Sequence, residues 1–233
     1  MSGGVEDLKR RAATAAFAYV QSDMVLGLGT GSTVSHLLDL LGTAVSSGAL
    51  SGIVAVPTSV RTETRARELG IELIGLHERA TLDLTIDGAD EVSPRLELIK
   101  GGGGALLREK MVAQASDRLV IIADAAKAVD WLGTTFPLPV EVVRWGWEAH
   151  LSFLTEWGAQ VTPRAHADGT LVESDNGQIL LDCRFADGIV DPEALEAALA
   201  SRAGIVETGL FLGLATEALI ASEDGVIRIG GST

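Results

Sequence analysis

Two aspartates near the middle of the chain could bind hydroxyl groups or move protons. Asp87 and Asp90 lie three residues apart around Gly88, so in a tight turn both carboxylates can face one crevice. Taken singly, each aspartate is better explained as a helix cap or a turn former. The acidic cluster could also hold a divalent cation, but no histidine is nearby and Lys100 would compete for the carboxylates. We therefore predict that the protein requires no metal and no cofactor.

Lys100 stands before four consecutive glycines, Gly101–Gly104. Such a run costs backbone entropy and favours a place where the main chain approaches a ligand closely. A flexible linker is the alternative, and it is disfavoured because an apolar strand precedes the run and a helix follows it. Lys100 could stabilise a developing oxyanion. Glu109, one turn into the helix, could look back across the glycines as a general base, although a solvated position is usual in a charged run.

The loop Gly29–Thr33 follows a predicted strand and precedes a predicted helix. Its amides and three hydroxyls could bind an anion such as phosphate, helped by the positive end of the helix dipole. Similar loops occur in nucleotide-binding and methyl-transfer folds, and some only pack tightly. Because G-x-G-x-x-G is incomplete and the second strand ends in Pro57-Thr58, we expect a ligand smaller than a dinucleotide. Lys127 and Lys9 are further cations for such an anion.

Short apolar strands alternate with helices around these residues. The first third of the chain follows a βαβαβ pattern, which predicts right-handed crossovers and a parallel sheet. Later strands end close to Asp87, Lys100 and Asp124. Because ligands of open α/β sheets bind outside the carboxyl ends of the strands, we expect these polar residues to share one crevice.

The order of elements changes after Phe136, where the pattern becomes βαββαβ, which is typical of a ferredoxin-like unit. We therefore predict an α/β fold with two parts. The main part is a Rossmann-like parallel-sheet domain, residues 1–135 and 205–233. The inserted part is a smaller α+β ferredoxin-like domain, residues 136–204.

Charge and cysteine content restrict the partners and the compartment. A formal net charge of -14 disfavours nucleic acid and anionic membrane surfaces as partners. Cys183 is the only cysteine, so no internal disulfide can form, as expected of a cytoplasmic protein. It lies in an apolar strand-like run, where we expect a buried thiol and not a nucleophile. The sequence shows neither a signal peptide nor an apolar stretch long enough to span a membrane.

Five segments of the chain carry a resemblance to a known family: Gly27–Thr33, Asp87–Glu91, Lys100–Gly103 with Arg108–Lys110, Asp124–Lys127 and Phe136–Val142. In their order and approximate spacing, the chain is similar to the type A ribose-5-phosphate isomerases over almost its whole length. The resemblance implies a metal-independent isomerase that interconverts ribose 5-phosphate and ribulose 5-phosphate in the pentose phosphate pathway. It also implies a homodimer or a homotetramer.

The resemblance further implies Glu109 as the base. Asp87 would assist ring opening, and Lys100 would stabilise an enediolate. The implied substrate contacts are Thr30, Gly31, Ser32, Thr33, Asp87, Gly88, Ala89, Asp90, Lys100, Gly101, Gly102, Gly103 and Lys127. Two alternatives stay open at this point: a non-catalytic sugar-phosphate sensor, and a coenzyme A transferase-like enzyme with a glutamate nucleophile.

Overall fold

The structure is a computed structural model that describes residues 4–231. The chain divides into two compact units. The first unit is Met1–Ala89, Arg108–Ala128 and Gly213–Thr233, and the second is Asp90–Leu107 and Val129–Leu212.

The helices and strands follow one another in this order. The first half of the chain has α1 (Val5–Phe17), β1 (Val25–Leu28), α2 (Ser32–Ser46), β2 (Val54–Pro57), α3 (Val60–Glu68), β3 (Glu72–Leu73), β4 (Leu84–Asp87), β5 (Glu91–Val92), β6 (Leu98–Ile99), α4 (Leu106–Gln114) and β7 (Leu119–Asp124). The second half has β8 (Leu138–Val142), α5 (Leu151–Glu156), β9 (Ala159–Pro163), β10 (Ile179–Phe185), α6 (Pro192–Ala200), β11 (Ile205–Thr208), β12 (Leu210–Phe211), β13 (Glu217–Ser222) and β14 (Gly225–Gly230).

The first unit is built on a seven-stranded sheet with the order β14-β13-β7-β4-β1-β2-β3. All neighbouring strands are parallel except β13 and β14, which form an antiparallel pair. All six residues of β7 are buried, as expected of a parallel strand that is covered on both faces. Buried alanines of α1 and leucines of α2 pack in one core with the strands. The predicted Rossmann-like parallel sheet is confirmed.

The second unit contains a four-stranded antiparallel sheet with the order β11-β8-β10-β9. Together with α5 and α6, these strands follow the βαββαβ pattern that the sequence predicts for a ferredoxin-like unit. The helix α6 begins where the Asp191-Pro192 signal indicates, and the Asp191 carboxylate accepts a hydrogen bond from the Ala194 amide at 2.9 Å.

The boundaries of the second unit differ from the predicted range 136–204. Strand β11 pairs with β8, and β12 pairs with β6 in a separate three-stranded sheet with β5. Residues 90–107, 129–135 and 205–212 belong to the second unit, whereas the sequence assigned them to the main domain. The physical reason is that β5, β6 and β12 have two residues each, too few to show a hydrophobic period.

Across the part of the chain that the structure describes, none of the helices combines the length and the apolarity that crossing a bilayer requires.

Candidate active site

The first unit collects predicted site residues at the carboxyl ends of three adjacent strands. Strands β7, β4 and β1 are neighbours in the parallel sheet. The loop from Gly29 follows β1, Gly88 and Ala89 follow β4, and a short 3-10 helix, Ala125–Lys127, follows β7. Because parallel strands end at the same edge, these segments share one side of the sheet, where ligands of such folds bind.

Asp87 holds the main chain of the loop after β1. Its side chain is 1% exposed, and Oδ1 accepts hydrogen bonds from the amides of Thr30 at 2.9 Å and Gly88 at 2.7 Å. A Cβ at Gly29 would lie 2.1 Å from that oxygen and 2.6 Å from the Asp87 Cα, so only glycine fits there. The loop and the carboxylate thus form one preorganised element.

The Thr30 hydroxyl points into a buried cluster of hydroxyl groups. Its Oγ1 lies 2.8 Å from the hydroxyls of Thr58 and Ser59 and 3.2 Å from that of Thr62. The Thr62 hydroxyl in turn donates to the Gly29 carbonyl at 2.8 Å. The sequence suggested that the Thr30 hydroxyl is available to an anion, whereas the structure employs it in bracing the loop.

The start of α2 keeps the features of an anion site. Gly31 precedes the helix with φ of 132°, a backbone conformation that favours glycine. Ser32 is exposed and Thr33 is half-buried in the first turn. The first amides of a helix have no partner within the helix, and they lie at the positive end of its dipole.

Glu109 is buried although its two neighbours in sequence are charged. It lies in the first turn of α4 and is 4% exposed. Burial of this carboxylate is what the spacing predicted, against the usual solvated position of a charged run. The carboxylate is therefore largely shielded from bulk water.

The cations of the first unit differ in their surroundings. Lys127 is half-buried at the end of the 3-10 helix, and the Asp124 carboxylate that precedes it accepts a hydrogen bond from the Ala126 amide at 3.0 Å. Lys9 pairs with Glu6 at 2.6 Å. Hydrogen bonds from Lys9 and then from His36 hold the pKa of Glu6 below its usual value.

Lys100 is a buried cation of the second unit. It is 2% exposed, its amide donates to the Gly209 carbonyl at 2.9 Å, and its Nζ lies 5.4 Å from the centre of the Phe211 ring. A ring face attracts a cation, so Phe211 helps to hold the ammonium group of Lys100 in place. Sequence reasoning missed Phe211, because nothing local to residue 211 indicates that it faces Lys100.

The glycine run after Lys100 is folded into a defined turn. The Gly104 amide donates to the Gly101 carbonyl at 2.9 Å, and both residues have positive φ. The Asp90 carboxylate accepts a hydrogen bond from the Gly102 amide at 2.7 Å. A flexible linker is therefore not the right description of this run.

Glu91 is a further organising residue that the candidate set left out. It is fully buried, and its carboxylate accepts hydrogen bonds from the amides of Gly133, Thr135 and Phe136 and from the Thr135 hydroxyl at 2.5–2.7 Å. The Phe136 ring that this loop presents lies 2.9 Å from the position of a Cβ at Gly102. In the sequence, the acidic Asp87–Glu91 segment indicated a binding site, but it did not indicate that Glu91 holds the loop before β8.

The structure thus brings the candidates together as two sets. The first unit holds Thr30, Gly31, Ser32, Thr33, Asp87, Gly88, Ala89, Glu109 and Lys127. The second unit holds Asp90, Lys100, Gly101, Gly102 and Gly103. Asp87 and Asp90, which the sequence treats as a pair, belong to different units, and each binds amides of the glycine loop in its own unit.

A bound metal ion and a cysteine nucleophile are two other chemistries that the residue types of the sequence raise. Within residues 4–231, no group of three or more His, Cys, Asp or Glu side chains is arranged to hold a metal ion. Cys183 is fully buried, as expected, and desolvation followed by the nearby Asp182 raises the pKa of its thiol to about 12. A thiol with this pKa stays protonated at neutral pH and is no nucleophile.

The fold and the loops at its strand ends define a Rossmann-like α/β protein. The family model "Ribose 5-phosphate isomerase A (phosphoriboisomerase A)" matches residues 54–225. The chain is 52% identical to the ribose-5-phosphate isomerase A of Chloroflexus aurantiacus, over 96% of this chain and 93% of that protein. The chain therefore belongs to the ribose 5-phosphate isomerase A family, and with it to the isomerases.

Solved structures agree with this assignment. The ribose 5-phosphate isomerase of Plasmodium falciparum is 37% identical, with a TM-score of 0.93, over 98% of this chain and all of that one. A D-ribose-5-phosphate isomerase solved in complex with phospho-erythronic acid is 35% identical, with a TM-score of 0.94 and the same coverage.

Proposed function

We propose that this protein interconverts D-ribose 5-phosphate and D-ribulose 5-phosphate by general-base proton transfer through an enediolate. The observation that carries the proposal is the burial of Glu109 in the first turn of α4, inside a run of charged residues. Arg108 beside it is half-buried and Lys110 is 4% exposed, so this charged segment lies largely inside its unit and not on a solvated face. Membership of the isomerase family supplies the reaction in which a carboxylate base is needed.

In this mechanism Glu109 moves the proton and Lys100 stabilises the charge. Asp87 assists opening of the furanose ring, which leaves an aldehyde at C1. Glu109 then takes the proton from C2, the electron pair forms the C1–C2 double bond, and O1 becomes anionic. The Lys100 ammonium and main-chain amides stabilise that oxyanion. Return of the proton to C1 and transfer of the hydroxyl proton from O2 to O1 leave the ketone.

Substrate binding is assigned to the residues that surround the two glycine loops. Both loops are held in place by buried or partly buried side chains, so they are organised before a ligand arrives. We propose as contacts Thr30, Gly31, Ser32, Thr33, Asp87, Gly88, Ala89, Asp90, Lys100, Gly101, Gly102, Gly103 and Lys127. At Thr30 we propose the main-chain carbonyl as the contact with a substrate hydroxyl, because the side-chain hydroxyl is engaged with three other hydroxyls and the amide donates to Asp87.

The test is turnover of ribose 5-phosphate by the wild type and by Glu109→Gln, in the presence of a chelator. We expect the variant to lose about a hundredfold to ten-thousandfold in kcat, because the base is gone. Binding of phospho-erythronic acid, measured by calorimetry, should persist in the variant. The control is Glu68→Gln, which changes an exposed carboxylate of the same unit and should leave kcat unchanged. Near-normal turnover by Glu109→Gln would refute the assignment, and binding without turnover by the wild type would indicate a sensor.

We further propose that the enzyme works in the pentose phosphate pathway of the cytoplasm, as a homodimer or a homotetramer. The single buried cysteine suits a reducing compartment. Light scattering of the purified protein measures the assembly, and a monomeric mass would contradict that part of the proposal.

A further inference from the structure

Arg164, just after β9, contacts the glycine run of the second unit. Its Nη1 donates hydrogen bonds to the carbonyl oxygens of Gly101 at 3.1 Å and Gly102 at 3.2 Å. The other edge of the guanidinium is bound by Asp182 on β10, with Nε 3.0 Å from Oδ2 and Nη2 2.6 Å from Oδ1. One planar group thus ties two glycine carbonyls to a strand of the antiparallel sheet.

This contact determines the direction of the neighbouring amides. In a trans peptide, the C=O and the N–H of one plane point in opposite directions. The Gly101 carbonyl faces Arg164, and the Gly102 amide of the same plane donates to Asp90 at 2.7 Å. The Gly102 carbonyl also faces Arg164, so the Gly103 amide points away from the guanidinium.

The charge of Arg164 also changes the strength of these amides as donors. A cation at the carbonyl oxygen polarises the peptide group, and hydrogen bonds in a chain strengthen one another. Without such a contact, residues with positive φ such as Gly101 and Gly104 would sample many conformations. Arg164 therefore supplies the order that the four glycines lack.

We propose that Arg164, oriented by Asp182, is a positioning residue that turns the Gly103 amide toward the substrate. The inference rests on the proposed isomerase function and deepens it, because it identifies what organises one wall of that site. Arg164 acts through the main chain of the glycine run and needs no contact with the substrate itself.

A second ion pair of the same unit provides a matched control. Arg144 binds Glu173 with Nη1 2.6 Å from Oε1, and both side chains are exposed. Its amide is bound by the Gln178 side chain, and the glycine run is not among its contacts. Loss of the Arg144 side chain removes an arginine and an ion pair but leaves the Gly101–Gly104 turn unchanged.

The experiment compares the full chain with Arg164→Met, Arg164→Lys, Arg164→Ala and Arg144→Met. We expect kcat/KM for ribose 5-phosphate to fall about 10-fold to 100-fold in Arg164→Met, because small displacements of donors are costly in catalysis. Most of that loss should be in kcat if the Gly103 amide stabilises the transition state. The kcat/KM of Arg164→Lys should lie between those of the wild type and of Arg164→Met, because an ammonium group keeps the charge but lacks the planar guanidinium fork. Added guanidinium should restore part of the activity of Arg164→Ala.

Hydrogen exchange gives a readout that does not depend on activity. The Gly102 and Gly104 amides should exchange at least about tenfold faster in Arg164→Met, while strand β10 keeps its protection. Kinetics and exchange within twofold of Arg144→Met would overturn the inference. A variant with faster exchange in β10 as well would show a general loss of structure and would also count against a positioning role. If the wild type shows no turnover, the proposed function fails, and exchange alone then decides whether Arg164 holds the turn.

Discussion

Two glycine loops of this molecule are held in place by different means. The loop after β1 is bound by Asp87 and by a cluster of neutral hydroxyls that includes Thr30, all of them buried. The run after Lys100 is bound by Asp90 and by Arg164, and its Gly102 and Gly103 are exposed. The first loop is part of the core of its unit, whereas the second lies at a surface and depends on charged groups.

Because of this difference, a mutation beside the first loop should change mainly the stability of the protein, and a mutation beside the second should change mainly the geometry of the site. Deleting a hydroxyl beside the first loop leaves buried polar groups without partners, so the free energy of unfolding should fall. Deleting Arg164 beside the second loop exposes carbonyls that water can reach, so the main effect should fall on the geometry of the loop. Mutations at the two loops therefore test whether the comparison is correct.

The largest effect is expected from Gly29→Ala. The added Cβ would lie 2.6 Å from the Asp87 Cα, and main chain on both sides would have to move. We expect kcat/KM to fall by about 100-fold or more, since the loop and Asp87 shift together. Steady-state kinetics with ribose 5-phosphate measure this, and Gly4→Ala is the control because nothing lies within 4 Å of a Cβ there.

Gly102→Ala is the corresponding change in the second loop. There the added Cβ meets only the ends of side chains, Asp90 at 2.6 Å and Phe136 at 2.9 Å, which can rotate away. The loss should be about 10-fold and hence clearly smaller. If Gly29→Ala is the milder of the two, the contrast between a core loop and a surface loop is wrong.

A smaller effect, on stability, is expected from Thr30→Val. Valine keeps the shape but removes a hydroxyl that lies within hydrogen-bond distance of three others. The free energy of unfolding should fall by about 1–3 kcal/mol, which corresponds to about 2–4 °C in Tm for each kcal/mol. Calorimetry measures the change. Thr14→Val, on the exposed side of α1, should stay within about 0.5 kcal/mol of the wild type. An equal loss of stability in Thr14→Val would show that the buried hydroxyl cluster has no special role.

Local patterns in the sequence predicted the candidate residues whose positions depend on near neighbours in the chain. They did not predict those that only tertiary contacts bring into place. Asp87 at a strand end and Glu109 one turn into a helix were predictable, because both depend on neighbours a few residues away. Arg164 and Phe211 were not predictable, because each meets its partner only through tertiary structure. Arg164 lies 63 positions from Gly101, and Phe211 lies 111 positions from Lys100. The chain pairings that create those contacts carry no local signal.

Thr30 shows a further limit of the same kind. Its type and its place in a glycine loop suggested a hydroxyl for an anion, which is what such loops often supply. Thr58, Ser59 and Thr62 surround it, because β2 lies beside β1 in the sheet, and the turn after β2 and the first turn of α3 carry these three hydroxyls. The pattern in the sequence gave no sign of these hydroxyl partners, and the role of the loop in binding stays a prediction.

The smallest effect concerns Cys183, a buried thiol of the second unit that reports on that unit alone. Burial raises the pKa of this thiol from about 9 to about 12, so the folded state resists formation of the thiolate. As the pH rises through about 9 toward 12, the unfolded chain loses this proton first, and stability falls. Between pH 7 and pH 9 the free energy of unfolding, measured by urea denaturation, should therefore fall by about 0.4 kcal/mol more in the wild type than in Cys183→Ala.

Alkylation of the same thiol sharpens the comparison between the loops. At pH 8 a thiol reagent should label Cys183 only when β10 opens, because the native thiol is fully buried and protonated. Thr30→Val weakens the first unit, so it should leave the labelling rate of native protein unchanged if the second unit opens by itself. Faster labelling in Thr30→Val would show that the units open together, and then the hydroxyl cluster of the first loop would stabilise the whole chain rather than its own unit.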